Sequence, residues 1–186
     1  NLTGIMGGDS GLTNDGEKQA LALGKKFKNI DFAAVFSSAK KRAIQTAQLI
    51  IKGKDLEVKK HEDLRERSFG SLDKERNKEY MHLFNALNDM SDDEVWNWKI
   101  VEDMESALEA VDRFSKVLQE IGKAYIGKKV LIVSHGTVNR SFLVKIGYGS
   151  FKNLGNGSFS NTGYAVLKYD GKNFSVEEIN GINYKN

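Results

Sequence analysis

The stretch Val130-Leu-Ile-Val-Ser-His-Gly-Thr-Val-Asn-Arg-Ser-Phe-Leu143 decides how the rest of the chain is read. An unbroken apolar run, clearest as a strand over 128–134, stops at Ser134, His135 and Gly136, and helical spacing follows from Val138 to Ile146. A strand without polar alternation belongs in a sheet covered on both faces, and a strand running straight into a helix is a unit of an α/β domain. Ligands of such domains gather at the carboxyl ends of the strands, where His135, one of three histidines, stands. Gly136 lets backbone N–H groups approach a ligand closely, the helix start favours an anion, and an imidazole there can neutralise a phosphate or move a proton. A histidine satisfied by a local backbone bond explains the same tripeptide equally well.

The pattern repeats on either side. Thr13 and Asp15 offer N-cap chemistry to a helix with Ala20, Leu21, Leu23, Gly24 and Phe27 on one face. Phe32-Ala-Ala-Val-Phe36 reads as a buried strand, Ser37-Ser38 as caps of the next helix, and Leu56–Lys60 as another strand. Residues 61–75 are loop-like. Residues 76–125 are largely helical with a break near 88–91, best marked over Met104–Tyr125, where Leu108, Val111, Phe114, Val117, Leu118 and Ile121 share a face. Two late strands, 161–169 and 173–179, meet at the hairpin signal Asp170-Gly171. The expected fold is α/β: a three-layer sandwich with a mostly parallel central sheet flanked by helices. One domain over 1–186, with a helical insertion at about 76–100, accommodates it.

Composition excludes more than it proposes. The net charge of +3 comes from 28 basic and 25 acidic residues, too even a mixture to argue for nucleic acid or an anionic membrane surface. No apolar run reaches the ~18 residues of a membrane span, and no leader pattern is visible. Cysteine is absent, which removes disulfides, thiolate catalysis and Cys-based zinc sites. A cytoplasmic protein fits these features.

Two further segments carry chemistry-bearing residues. In Ser37-Ser-Ala-Lys-Lys-Arg-Ala-Ile-Gln-Thr-Ala47, Arg42 lies in the first turns after a strand end, where its planar guanidinium suits paired phosphate oxygens. Only six arginines occur in the chain, against many lysines, so an arginine here is informative; a solvated face formed with Lys40 and Lys41 is the plain alternative. In Leu64-Arg-Glu-Arg-Ser-Phe-Gly70, Glu66 stands between two arginines, suited to a general acid if half-buried and to a surface ion pair if not.

Taken in order, Ser-Ser-x-x-x-Arg-Ala-x-x-Thr-Ala, Leu-x-Glu-x-x-Phe-Gly and Val-Ser-His-Gly resemble the histidine phosphatase superfamily, the family of phosphoglycerate mutases and related phosphatases. Leu12-Thr13 with Gly16, Gln19 and Ala20, then Glu105-Ser106 with Arg113, and Asn161, extend the resemblance to about Tyr169. It implies metal-independent hydrolysis of a phosphomonoester through a phosphohistidine, with no cofactor. Arg42 and His135 would hold the phosphoryl group, helped by Asn1 and by backbone N–H groups at Gly7, Gly8 and Gly136, and Glu66 would protonate the leaving alkoxide. The partner would be a small phosphorylated metabolite, with no nucleic acid and no membrane; its identity and the oligomeric state stay open. The family's nucleophile lies in Arg-His-Gly-x-Thr-x-x-Asn at the end of its first strand, and Asn1 matches the last residue of that motif. The expectation is therefore that the first strand and nucleophile lie upstream of Asn1, so that the chain by itself is inactive. His61 and His82 are not expected to substitute, since neither is read at a strand end. Ile5 and Gly7 stand where many members have Arg and where mutases have Ser, which favours phosphatase over phosphoglycerate mutase. A non-catalytic phosphate-binding module is the alternative if no nucleophile exists. Trp96 and Trp98 are read as helix-packing residues, or else as a cover over the pocket.

Overall fold

A computed structural model of the chain describes residues 6–73, 75 and 77–185, with the backbone alone of Asn77, Lys78, Met81 and Asn88. Three strands, β1 (Ala34–Ser38), β2 (Val58–His61) and β3 (Val130–Val133), form a parallel sheet in the order β2-β1-β3. Helices α1 (Asn14–Lys26) and α2 (Lys41–Ile50) cover one face; α5 (Ala107–Ala124) and α6 (Gly136–Lys145) cover the other. Two shorter helices, α3 (Asn77–Asn85) and α4 (Asp92–Asn97), precede α5, and β4 (Phe159–Tyr169) pairs antiparallel with β5 (Phe174–Ile182).

The alternation of strand side chains sorts the core into two layers. Val35, Leu131 and Val133 pack with Phe27, Ala47 and Ile50 towards α1 and α2. Phe36, Val130 and Ile132 pack with Val111, Phe114, Val138 and Phe142 towards α5 and α6. Full burial of one such side chain contributes roughly 1.5–3 kcal/mol. The α1–α2 crossing depends on Gly24, where a Cβ would stand 2.8 Å from the Ile50 carbonyl oxygen. A capping box, in which the Ser106 hydroxyl accepts from Glu109 N–H and the Glu109 carboxylate accepts from Ser106 N–H, starts α5 at Ala107 instead of Met104. Leu108, placed by its spacing on the apolar face, is 39% exposed; the buried stripe runs through Ala107, Ala110, Val111 and Phe114.

Three boundaries matter for the site. β1 extends through Ser37 and Ser38, both fully buried, so these serines end the strand and do not cap α2, whose N-cap is Lys40 without a side-chain bond. α6 begins at Gly136, with His135 as its N-cap residue. His61 is the last residue of β2 and lies in register with Ser38, contrary to its reading as lying away from any strand end.

β3, the most apolar strand, has all four residues only half-buried, whereas four of the five residues of β1 are buried. The cause is topological. Among the described residues β3 pairs on one side only, with β1, and the β4–β5 hairpin forms a separate sheet. Trp96 meets Phe151 edge-on at 4.6 Å between ring centroids, and Trp98, just past α4, meets Phe84 of α3 edge-on at 5.6 Å.

Candidate active site at the carboxyl end of the parallel sheet

The ends of β1 and β3 and the starts of α2 and α6 meet around His135. Arg42, in the first turn of α2, donates from Nη1 to the Gly8 carbonyl at 2.5 Å and from Nη2 to His135 Nδ1 at 3.2 Å. On the other side of the ring, His135 Nε2 is 2.8 Å from Ser38 Oγ. An arginine has donors only, so Nδ1 must offer its lone pair. The remaining proton therefore sits on Nε2 and is donated to Ser38 Oγ, which also accepts from Lys40 N–H at 3.3 Å. The geometry thus fixes a neutral imidazole in a single tautomer.

Electrostatics point the same way. His135 is 7% exposed, and burial pushes its pKa down to about 4. Glu66 opposes this shift, and the positive charges of Arg42 and Lys40 reinforce it. In the absence of an anion the ring is neutral at pH 7; a phosphoryl dianion beside it would favour the protonated form.

Glu66 arrives from an irregular loop preceded by a single 3-10 turn (Glu62–Leu64). Its carboxylate takes two N–H groups of the first turn of α6 and one of its own loop: Oε2 accepts from Thr137 N–H at 3.0 Å, and Oε1 from Val138 N–H at 3.0 Å and Arg67 N–H at 2.9 Å. Thr137 and Val138 are the second and third residues of α6, and the Gly136 N–H, at the first position, is not among the donors to Glu66. Its two arginine neighbours do not pair with it on a surface. Arg65 binds Glu105 with both terminal nitrogens, at 2.9 and 3.2 Å, and buried Arg67 donates to the carbonyls of Glu105 and Trp98.

Arg113 holds the loop in this position. It bonds Glu105 through Nε and Nη2 at 2.7 and 2.8 Å and donates to the carbonyls of Asp63, Arg65 and Glu66 at 2.7, 3.0 and 3.0 Å. Burial would push the Glu105 carboxyl up, but hydrogen bonds from Arg113, Arg65 and Ser68 N–H outweigh it and hold the pKa near about 2. A folded-state value below the unfolded one, ~4.3, gives stability that is present above the unfolded pKa and lost as pH falls through the folded one. Glu105→Gln is therefore expected to lower stability at pH 7 by about 3 kcal/mol, because Arg65 and Arg113 lose their shared counter-charge. Thermal melts should show a Tm drop of about 6–12 °C. The gap between wild type and variant should close as pH is lowered from about 5 towards 2.

Of the residues singled out in sequence, Arg42, Glu66, His135 and Gly136 converge here. Gly8 reaches the site through its carbonyl on Arg42, and the Gly7 carbonyl accepts from Lys40 Nζ at 3.4 Å. Asn1 and Ile5 lie outside the described residues. His61 turns its ring to its own chain, where Nδ1 accepts from Asp63 N–H. Among the described residues no group of three or more His, Cys, Asp or Glu is placed to hold a metal ion. Sequence reasoning missed Ser38 as the partner of His135, and it missed buried Arg67 and Arg140. The first had a readable signal, since a serine ending the strand beside β3 must face its neighbour's end; buried arginines in loops and helices carry no comparable pattern.

A family model, "Histidine phosphatase superfamily (branch 1)", matches residues 1–181. The chain belongs to the histidine phosphatase superfamily. Within that superfamily it is 29% identical over 176 residues to an uncharacterized phosphatase, PhoE, of Bacillus subtilis, covering 90% of this chain and 83% of that protein. It is 32% identical over 148 residues to a metal-independent phosphoserine phosphatase of Arabidopsis thaliana, covering 74% of this chain and 59% of the relative. Among solved structures, Bacillus stearothermophilus YhfR superposes with a TM-score of 0.79 at 25% identity, covering 95% of this chain and 88% of that one. The fold of this superfamily member is therefore the α/β fold of its structural neighbours. Among the described residues no helix is long and apolar enough to cross a membrane.

Proposed function

We propose that the protein hydrolyses a phosphomonoester of a small metabolite through a phosphohistidine. The observation that carries this reading is the convergence of Arg42, His135 and Glu66, which come from three distant segments: the Arg42–His135 contact spans 93 residues and the Glu66–Val138 contact 72. The names of relatives agree with a phosphatase.

In this reading a histidine nitrogen attacks phosphorus, the P–O bond to the leaving group breaks, and Glu66 delivers a proton to the departing alkoxide. Water then attacks the phosphohistidine, gives its proton to Glu66, and phosphate leaves with cleavage of the P–N bond. Splitting the transfer lowers each barrier. Arg42 and a protonated His135 stabilise the charge spread over the phosphoryl oxygens, so cationic side chains supply what a metal supplies elsewhere. In this reading the nucleophile is a histidine on a further strand beside β3, which pairs on one side only among the described residues. The half-exposed apolar side chains of β3 support that placement.

Full-length protein should hydrolyse p-nitrophenyl phosphate in the presence of a chelator, with an acid-labile phosphoenzyme labelled outside the peptides that carry His61, His82 and His135. No turnover between mildly acidic and neutral pH, or undiminished turnover by His135→Ala, overturns the reading. Label on the peptides carrying His61 or His135 overturns the placement of the nucleophile.

A further inference from the structure

The catalytic cycle above gives no task to Ser38, although this fully buried residue touches the ring of His135. Ser38 ends β1, whose Ser37 pairs with Val133 at the end of β3. Its hydroxyl joins three elements. It belongs to the last residue of β1, it accepts from Lys40 N–H at the start of α2 at 3.3 Å, and it lies 2.8 Å from Nε2 of His135, the N-cap residue of α6. With Ser38 at 0% and His135 at 7% exposure, water cannot replace that bond if the hydroxyl is lost.

The two ring nitrogens differ in whether their partner can leave. Nδ1 accepts from Arg42, a half-buried side chain whose fork turns to the phosphoryl oxygens in the proposed cycle. Nε2 faces Ser38, a short side chain fixed on a paired strand. Before substrate binds, the Arg42 donor keeps Nδ1 bare, so the ring proton is on Nε2 and goes to Ser38. When Arg42 moves to the phosphoryl group, Nδ1 is released, takes a proton from solvent and donates it in a hydrogen bond to a phosphoryl oxygen. Both nitrogens then carry hydrogen, and Nε2 still donates to Ser38. The charges facing the ring are Glu66 from its loop, which favours the imidazolium, and Arg42 and Lys40 from the α2 segment and Arg113 from α5, which oppose it. Three cations against one carboxylate make the imidazolium depend on its hydrogen bonds, and a bond from a charged donor is stronger than one from a neutral ring.

We infer that Ser38 is a positioning residue for the reaction: it keeps Nε2 of His135 as a donor in both the free and the occupied site, so that Nδ1 is the nitrogen that takes up the proton and meets the phosphoryl group. The catalytic part of this inference rests on the phosphatase reading, and its test separates the two.

Nitrogen-15 NMR of the His135 ring in full-length wild type follows both nitrogens as pH is lowered. Nε2 should stay at the protonated position throughout, and Nδ1 should move from the bare to the protonated position. Inorganic phosphate should bring that movement to higher pH. Ser38→Ala should lower kcat/KM for p-nitrophenyl phosphate by about 10- to 100-fold, the worth of one hydrogen bond from a charged donor. It should also move the alkaline limb of kcat to lower pH by about one pH unit, because an imidazolium without its acceptor gives up its proton sooner. In a His135→Ala background the same change should cost less than about threefold, since Ser38 acts through the ring. A merely structural role predicts equal losses in the two backgrounds and an unmoved limb, and that result overturns the inference. So does a wild-type titration in which Nε2 moves and Nδ1 does not. If p-nitrophenyl phosphate is not turned over at all, the phosphatase reading fails on its own. The ring titration then decides the positioning role: an Nδ1 midpoint that falls in Ser38→Ala supports it, and an unchanged midpoint overturns it.

Discussion

Arg42→Met in the full-length protein should lower kcat/KM for p-nitrophenyl phosphate by about 10³-fold. Two losses combine. The planar fork that spans paired phosphoryl oxygens disappears, and so does the donor that keeps His135 Nδ1 as an acceptor. Without that donor the imidazole is free to change tautomer, and the Nε2–H bond to Ser38 is no longer imposed. Arg42→Lys restores the charge but not the fork and should recover about tenfold of the loss. The thermal midpoint should move by only a few degrees, because Arg42 is half-buried at the first turn of α2 and gives up two hydrogen bonds, to the Gly8 carbonyl and to His135 Nδ1. A ring titration of His135 followed by NMR should shift upward from about 4, since Arg42 is one of the charges that depress it. Activity within threefold of wild type contradicts the assignment of Arg42 to the phosphoryl group.

Glu66→Gln should show an effect that depends on the leaving group. For an alkyl phosphate, whose alkoxide needs a proton to depart, kcat/KM should fall by about 10³-fold. For p-nitrophenyl phosphate, whose phenolate departs unaided, the fall should be no more than about tenfold. A purely structural role predicts equal losses on both substrates, so the comparison separates proton delivery from support of the loop. Some structural cost accompanies either outcome. The glutamine amide keeps one oxygen for the N–H groups of Thr137 and Val138 but sets an N–H against the second and removes a negative charge from a helix start. That loss is about 1–2 kcal/mol.

Particular residues show where reading the sequence succeeded. Val130–Val133 is an unbroken apolar run that forms a strand, and Gly136–Lys145 follows closely as a helix, so the position of His135 at the carboxyl edge of the sheet was legible from the run itself. Arg42 was legible for the same reason, as the first-turn residue after another strand end. Glu66 was legible only through its resemblance to a family motif, because Arg65-Glu66-Arg67 reads equally well as a surface ion pair. The boundaries that failed did so for local reasons. Serines commonly cap helices, but Ser37 and Ser38 are drawn into β1 by pairing with β2 and, at Ser37, β3. Leu108 fits the helical period of α5, yet the buried stripe runs through Ala107, Ala110, Val111 and Phe114, and the leucine is left exposed.

By itself the sequence determined the alternation of strands and helices, the family, and the three segments that carry Arg42, Glu66 and His135. Those features are periodic or short-range, and one chain states them without reference to any partner. Only the tertiary structure decided which partners the three side chains have. It gave Glu66 to the start of α6, His135 to Ser38 and Arg42, and Glu105 to Arg65 and Arg113. Hydrogen bonds across dozens of residues depend on how strands and helices pack, and nothing in local spacing encodes which charged group will be buried beside which.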